Sequence, residues 1–292
     1  MFWGIIGVLF FREAAARGVV PLEIVGHRII WSLAFVTIIV LVLRDTPGIL
    51  AVIRSRSVLM RLALSAGLVS INWLVFIYAV STHQLAQSSL GYFMNPLANV
   101  ALGVLVLRER LRPAAKVAVA LAAVAVVWLL VGQGSLPWIP LSLALSFAFY
   151  GLVRKTTNVG PIPGLCVETL VLLPVGLLIV GLGLVSGGST RKAIEEPDWM
   201  LLTLFVASGA ITAIPLLLFN AAARRLSMIT LGFVQYIGPT CQFLLAAFVF
   251  REAIDTPKLI AFALIWAGLV IYSVDTLRAR RSPPSNDPAE AG

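Results

Sequence analysis

Charge is what this chain has least of. Of its 292 residues only 12% are Asp, Glu, Lys or Arg, 60% are hydrophobic, and the mean hydropathy is +0.99. An average soluble domain carries roughly 25% charged residues, so no water-facing shell can be assembled from this composition. Cysteine and histidine are nearly absent, at two each. Cys166 and Cys241 both fall within apolar runs, so no disulfide framework is implied. Two histidines in different segments give no ground for a metal. The sequence contains no H-E-x-x-H, no Cys/His ligand cluster and no G-x-x-x-x-G-K-[ST] loop, so it supports no metal centre, no cofactor and no direct ATP-driven work. The net charge of +9 does not point to nucleic acid, because the basic residues sit between apolar runs and not along one face.

What is present is a succession of ten apolar segments, at about 1–11, 24–43, 58–80, 86–107, 114–131, 137–153, 162–185, 199–220, 228–250 and 259–274. Most approach the ~20 residues that a helix needs to cross a ~30 Å hydrocarbon layer. Backbone polar groups cannot stay unpaired in lipid, so such runs must be helices or a closed barrel. Their length and lack of strict alternation exclude the barrel. The expectation is an all-α, polytopic membrane protein whose partner is the lipid bilayer. The segment at 1–11, at ~1.5 Å per residue, is too short to span, and it lacks the basic flank and cleavage site of a signal peptide. The first helix therefore reads as truncated, with the natural start upstream of Met1.

Basic residues set the orientation. Arg44, Arg54, Arg56, Arg61, Arg108, Arg110, Arg112, Lys116, Arg154, Lys155, Arg224, Arg225, Arg278, Arg280 and Arg281 fall in loops on one side. Arg12, Arg17, Arg191, Lys192, Arg251 and Lys258 fall on the other. The richer side belongs in the cytoplasm, which puts both termini there. Residues 278–292, with Pro283-Pro284 and several polar residues, read as a disordered cytoplasmic tail.

The chain also reads as duplicated. Leu90-Gly91-Tyr92-Phe93-Met94-Asn95-Pro96 is answered by Leu231-Gly232-Phe233-Val234-Gln235-Tyr236-Ile237-Gly238-Pro239, and an Arg-Glu pair ends thirteen residues beyond each proline, as Arg108-Glu109 and Arg251-Glu252. Both motifs fall on the fourth of five segments. Five is odd, so the second half (135–277) must lie inverted relative to the first (1–134). Paired broken helices in inverted repeats are the best sequence pointer to a secondary transporter's midplane site. Pro96 and Pro239 are the expected helix breaks.

Longer strings carry a family resemblance. His27-Arg28-Ile29-Ile30-Trp31-Ser32, Asn72-Trp73-Leu74-Val75-Phe76, Asn95-Pro96-Leu97, the run from Ser146 to Lys155 and Gln235-Tyr236-Ile237-Gly238-Pro239-Thr240 resemble the EamA family of the drug/metabolite transporter superfamily, and within it the bacterial RarD-like permeases. The likeness covers nearly the whole chain and departs at the front, where such proteins begin well before Trp3. It implies an inner-membrane permease of a kind named for chloramphenicol resistance.

Candidate site residues follow from the cost of polar groups in lipid. Arg28, with His27 beside it, is an intramembrane charge costing several kcal/mol and usually functional. Near a helix end, it could also snorkel to the interface. His27, Arg28 and Glu168 are candidates for coupling or gating, Glu168 as a proton-coupling or substrate-binding carboxylate with no obvious partner. Asn72 beside Trp73 reads equally as a cavity amide or as an interhelical hydrogen bond worth about 1 kcal/mol. Proline removes an internal hydrogen bond, and freed backbone at that depth must face protein or a polar cavity. Tyr92 and Asn95 before Pro96, with Gln235 and Tyr236 before Pro239, are thus the first choice for a substrate cavity. Small residues such as Gly103, Ala118, Ala122, Gly176, Gly183 and Gly268 read as packing positions, and residues 132–135 as a hinge between repeats.

The expected function is secondary transport of a small organic solute by alternating access. The substrate would be an amphipathic metabolite, an amino acid or a chloramphenicol-like drug. No nucleic acid is involved, and a homodimer is left open. The competing classes are an intramembrane enzyme, for which converging catalytic groups are lacking, and a non-transporting membrane scaffold.

Overall fold

The structure, a computed structural model, describes residues 10, 13–14, 16–82, 84–131, 137–244, 248–249 and 256–281. The short first segment apart from Phe10, the hinge at 132–135, the Arg251-Glu252 pair and the chain beyond residue 281 lie outside the described residues. Among those described, no strand is present. The helices are α1 (Pro21–Leu43), α2 (Thr46–Arg54), α3 (Arg56–Ser81), α4 (Leu85–Leu105), α5 (Pro113–Val131), α6 (Trp138–Thr156), α7 (Pro161–Val185), α8 (Ser189–Glu195), α9 (Trp199–Arg225), α10 (Met228–Gln235), α11 (Ile237–Leu244) and α12 (Thr256–Arg281).

Their boundaries follow from local chemistry. α1 and α7 each open with a proline in the first turn, where its missing N–H is not needed. α9 opens at Asp198, whose carboxylate accepts from the N–H groups of Met200 and Leu201. α1 stops at Arg44, which turns left-handed at φ 55°. Arg44 N then bonds Leu41 O at 3.2 Å and Asp45 N bonds Val40 O at 3.1 Å, closing the helix end.

Among the described residues six helices, α1, α3, α5, α7, α9 and α12, are long and apolar enough to cross a membrane. Polarity is inverted relative to a soluble protein. Leu43, Leu105, Val131 and Val185 are exposed, while Glu23, His27, Arg28, Arg154, Glu168, Asn99 and Asn220 are buried. Such a surface suits hydrocarbon, and such an interior must satisfy its own polar groups. α4, α6 and α10 are not among the six, and each carries polar residues of the interior.

α1 packs on α7 and α9, α4 on α6 and α10, α3 on α6, and α5 on α12. Small residues permit the closest crossings: a Cβ on Gly26 of α1 would lie 3.1 Å from Gly176 O on α7, and one on Gly268 of α12 would lie 3.1 Å from Ala118 O on α5.

Four features differ from the sequence expectation. α4 runs unbroken through Pro96, because a proline costs one internal hydrogen bond and a helix held by its neighbours can absorb that. In the second half the break is real but lies at Tyr236, between α10 and α11. Pro239 falls in the first turn of α11, where its missing N–H costs nothing. The short helices α2 and α8 occupy stretches read as loops, one after α1 and one after α7. Finally, α12 continues through Arg281, so Arg278 to Arg281 are helical and not tail.

Candidate functional site

Three residues singled out from the sequence lie together, two of them buried in the bundle. Arg28 on α1 is only 4% exposed. Its Nε donates to Thr212 Oγ1 on α9 at 2.8 Å, and its Cζ lies 4.5 Å from the ring centroid of Trp73 on α3. The Tyr92 side chain on α4 is within electrostatic reach. The guanidinium therefore turns inward, against an indole face that favours a cation, and does not snorkel. Tyr92 is 39% exposed and meets Phe76 edge-on at 6.4 Å.

Next to Arg28, His27 stacks on Phe205 at 3.8 Å and its Nε2 lies 3.0 Å from Thr190 Oγ1. The Thr190 hydroxyl gives its one proton to Glu23, so His27 Nε2 is the donor in this pair. Glu23 also accepts from Ser189 N at 2.9 Å and Thr190 N at 2.7 Å, which ties α1 to the start of α8.

One helical turn along α4 from Tyr92 is an amide cluster. Asn95 Nδ2 donates to Gln235 Oε1 at 2.7 Å, and Asn99 Nδ2 donates to the same oxygen at 2.9 Å. Asn99 Nδ2 also reaches Asn95 O at 3.1 Å. Two donors use both lone pairs of the Gln235 oxygen. Gln235 Nε2 and Asn99 Oδ1 are left without a hydrogen-bond partner. Gln235 is the last residue of α10, just before the break at Tyr236.

The remaining site candidates lie elsewhere. Asn72 gives its Nδ2 to Leu143 O at 2.9 Å and Ser146 Oγ at 3.1 Å, both on α6, so this amide joins two helices. Tyr236 is 2% exposed and packs with Phe93, Phe233 and Phe262; its hydroxyl has no partner.

Glu168 does have a partner, contrary to expectation. Its carboxylate lies 3.5 Å from Arg154 Nε and accepts from Ser65 Oγ and, at 3.4 Å, from Tyr150 Oη. Tyr150 in turn accepts from Asn220 Nδ2 at 2.9 Å. Arg154, placed by the sequence among loop cations, is fully buried. Only Lys155 beside it behaves as a helix-end cation: its Nζ donates to Ala223 O at 3.2 Å and to Leu226 O, at the C-terminus of α9.

The Arg108-Glu109 pair is also more than an interface anchor. Glu109 accepts from Met228 N at 2.8 Å and Ile229 N at 3.0 Å, while Ser227 Oγ accepts from Thr230 N at 3.0 Å. The first three N–H groups of α10 are thereby satisfied, two of them by a charge that suits a helix N-terminus. Sequence reasoning missed Asn99, Arg154, Asn220, Ser65, Glu23 and the role of Glu109. Of these, only Asn99 was signalled, by its i,i+4 spacing from Asn95 on one helix face. Among the described residues no group of three or more His, Cys, Asp or Glu could hold a metal ion.

No family profile matches the chain. Individual relatives do. An uncharacterized transporter of Vibrio cholerae is 42% identical over 277 residues, covering 95% of this chain and 90% of that one. Protein RarD of Escherichia coli is 43% identical over 259 residues, covering 89% and 86%. The chain belongs to the RarD family. The RarD likeness carried by the sequence motifs thus extends over most of both chains. A more distant relative, the chloramphenicol-sensitive protein RarD of Pseudomonas aeruginosa, is 30% identical over 89% of this chain and 87% of its own. One solved crystal structure shares the fold, with a TM-score of 0.69 over 96% of this chain and 95% of that one, at 22% identity.

Proposed function

We propose that the protein is a secondary transporter that carries a small organic solute across the bacterial cytoplasmic membrane by alternating access. The α4–α10 amide cluster carries this reading. It joins Asn95 and Asn99 to Gln235 and leaves one buried donor, Gln235 Nε2, and one buried acceptor, Asn99 Oδ1, unspent. Buried polar groups without partners are costly, and a solute bearing both an acceptor and a donor relieves both. The transporter names of the RarD relatives support the class of activity, and the unspent amide groups support a site at this cluster.

The architecture in this reading is ten helices in two inverted repeats of five, both termini cytoplasmic. Its support is the pairing of equivalent elements: α1 with α7, α4 with α10 and α5 with α12. Each pair joins a helix of the first half to its counterpart in the second. The short helices α2 and α8 also follow corresponding helices of the two halves. Rocking of one half against the other turns on these contacts, and the amide cluster lies on one of them.

The solute would lie between Arg28, Trp73 and Tyr92 on one side and Asn95, Asn99 and Gln235 on the other. Aromatic faces beside amides suit an amphipathic amino acid, metabolite or drug. The name of the Pseudomonas relative makes chloramphenicol one probe to include. His27, through Thr190 and Glu23, closes the outer end by holding α8 against α1. The test is thermal stabilisation of the purified protein by a panel of amino acids, metabolites and chloramphenicol, followed by flux in proteoliposomes for each hit. Stabilisation and flux that both vanish in Asn95→Ala and Gln235→Ala support the reading. Flux that persists in both variants overturns the site.

A further inference from the structure

We propose that Glu168 is the group through which this transporter exchanges a proton with the cytoplasm, and that Arg154 is the counter-charge that holds the site ionised until the proton arrives. The inference rests on the transport reading and adds to it a driving ion and a route.

The placement comes first. Glu168 lies seven residues into α7, about 10 Å from the helix start at 1.5 Å per residue, and Arg154 lies two residues before the end of α6. Both are buried, yet both are close to the end of the bundle that charge bias places in the cytoplasm. The distance from that end to the carboxylate is about two helical turns, and beyond it the Tyr150 hydroxyl and Asn220 continue the polar contacts.

The hydrogen bonding is built for two protonation states. Ser65 Oγ faces both Glu168 Oε1 and Leu62 O, the latter at 2.9 Å. A hydroxyl has one proton, so these are alternatives. When Glu168 is ionised, Ser65 donates to the carboxylate. When Glu168 takes a proton, its new O–H donates to Ser65 Oγ, and Ser65 turns its own proton to Leu62 O. The Ser65–Glu168 hydrogen bond is kept in both states, and what protonation removes is the negative charge facing Arg154.

Arg154 is held in the opposite manner. Its Nε and Nη1 make no hydrogen bond, and Nη2 reaches Gly160 O at a long 3.4 Å. The guanidinium lies flat on the α7 backbone, where a Cβ on Gly164 would fall 2.2 Å from Nη1. A permanent structural pair would be close and bidentate; this one is single and stretched. Its attraction to the Glu168 charge is what keeps the guanidinium inside. Neutralising that charge leaves a buried, poorly bonded cation two residues from a helix end, free to move to water. The charged or titratable groups facing Glu168 are Arg154 and Tyr150, both from α6. α3 contributes the neutral Ser65, and none comes from α1, α2 or α9 among the described residues.

The motion has a path to the solute. Lys155, the next residue, grips the last carbonyls of α9. Beyond that corner α10 runs as one short rigid helix from the Glu109 clamp at Met228 to Gln235 in the amide cluster. A shift at the end of α6 is therefore delivered to the start of α10, whose far end is Gln235 of the amide cluster.

The experiment uses dicyclohexylcarbodiimide, which adds to a protonated carboxyl in apolar surroundings, on the purified full chain over a pH series, with the adduct located by peptide mass. Wild type is expected to be labelled at Glu168 increasingly as pH falls, and Glu168→Gln not at that position. Arg154→Gln moves the labelling midpoint up by about 1–3 pH units, the usual effect of removing an opposite charge at this distance. Arg154→Lys keeps the charge and holds the midpoint nearer wild type, and Arg154→Met serves where Arg154→Gln does not fold. No adduct at Glu168 at any pH where the fold persists, or an unmoved midpoint in the variant that removes the Arg154 charge, overturns the proposal. Solute stabilisation that survives in Glu168→Gln shows that such a failure lies in the coupling and not in the transport reading.

Discussion

Replacing Gln235 with alanine tests the hub of the amide cluster. One oxygen, Gln235 Oε1, accepts from Asn95 at 2.7 Å and from Asn99 at 2.9 Å. Interhelical hydrogen bonds in membranes are worth on average about 0.6 kcal/mol and at most ~1.7. Two are lost in Gln235→Ala, and the consequences for their donors differ. Asn99 keeps a bond to Asn95 O at 3.1 Å, whereas Asn95 Nδ2 is stranded at a cost of about 1–3 kcal/mol. The expected loss is about 2 kcal/mol. Asn95→Ala removes only one donor, and Gln235 still accepts from Asn99, so that loss is about 0.6 kcal/mol. At roughly 2–4 °C per kcal/mol, thermal unfolding in a single detergent should place Gln235→Ala ~4 °C or more below wild type and Asn95→Ala ~1–2 °C below. The ranking matters more than either value. Equal losses, or a larger one in Asn95→Ala, would show that the two helices do not meet through the Gln235 oxygen and would remove the basis for a site there.

Glu109→Ala should lower unfolding temperature through loss of the α10 cap, by the ~1–2 kcal/mol of a strong helix cap. Glu109→Gln should cost less, since one oxygen still accepts; equal effects of the two would mean the carboxylate does not cap Met228 and Ile229. Gly209→Ala should be disruptive, because its Cβ would fall 2.4 Å from the backbone oxygen of Trp31 and neither backbone can yield. Overpacking of this kind costs about 1–3 kcal/mol, and unchanged unfolding would refute the close α1–α9 crossing. Asp198 is held below its ordinary value first by the backbone N–H of Leu201 and then by Arg17. Its contribution is therefore complete above the ordinary carboxylate value and is lost as pH falls through the lowered one. Unfolding of wild type and Asp198→Asn should converge at the acid end of a pH series, and a constant difference would argue against the cap.

The helical layers were legible because lipid leaves the chain no choice. Long apolar runs must satisfy their own backbone, so most of the described apolar segments were recoverable as helices from composition alone. The duplicated motif led to α4 and α10, and the structure does bring Asn95 to Gln235. α2 and α8 escaped because they are short and lie beside charged and turn residues, so hydropathy does not separate them from loop. The Pro96 expectation failed because proline alone does not break a helix. In the second half the break falls at Tyr236, so Pro239 sits in the first turn of α11, where its missing N–H costs nothing.

The polar interior was less legible, for a reason visible at two adjacent residues. Arg154 and Lys155 have the same charge and the same position at the end of α6, and any count of basic residues treats them alike. One faces α7 and is held to Glu168; the other faces the end of α9 and caps its carbonyls. A helix turns about 100° per residue, so neighbours in sequence point to different elements, and which element stands there is fixed only by tertiary packing. Glu168 illustrates the converse. The cost of a carboxylate in lipid marked it as special from sequence, but its partners Ser65, Tyr150 and Arg154 come from two other helices and share no spacing with it. Depth in the membrane can be read from one segment, whereas pairing requires the bundle. This is why single intramembrane charges are good pointers to a site and poor guides to what the site does.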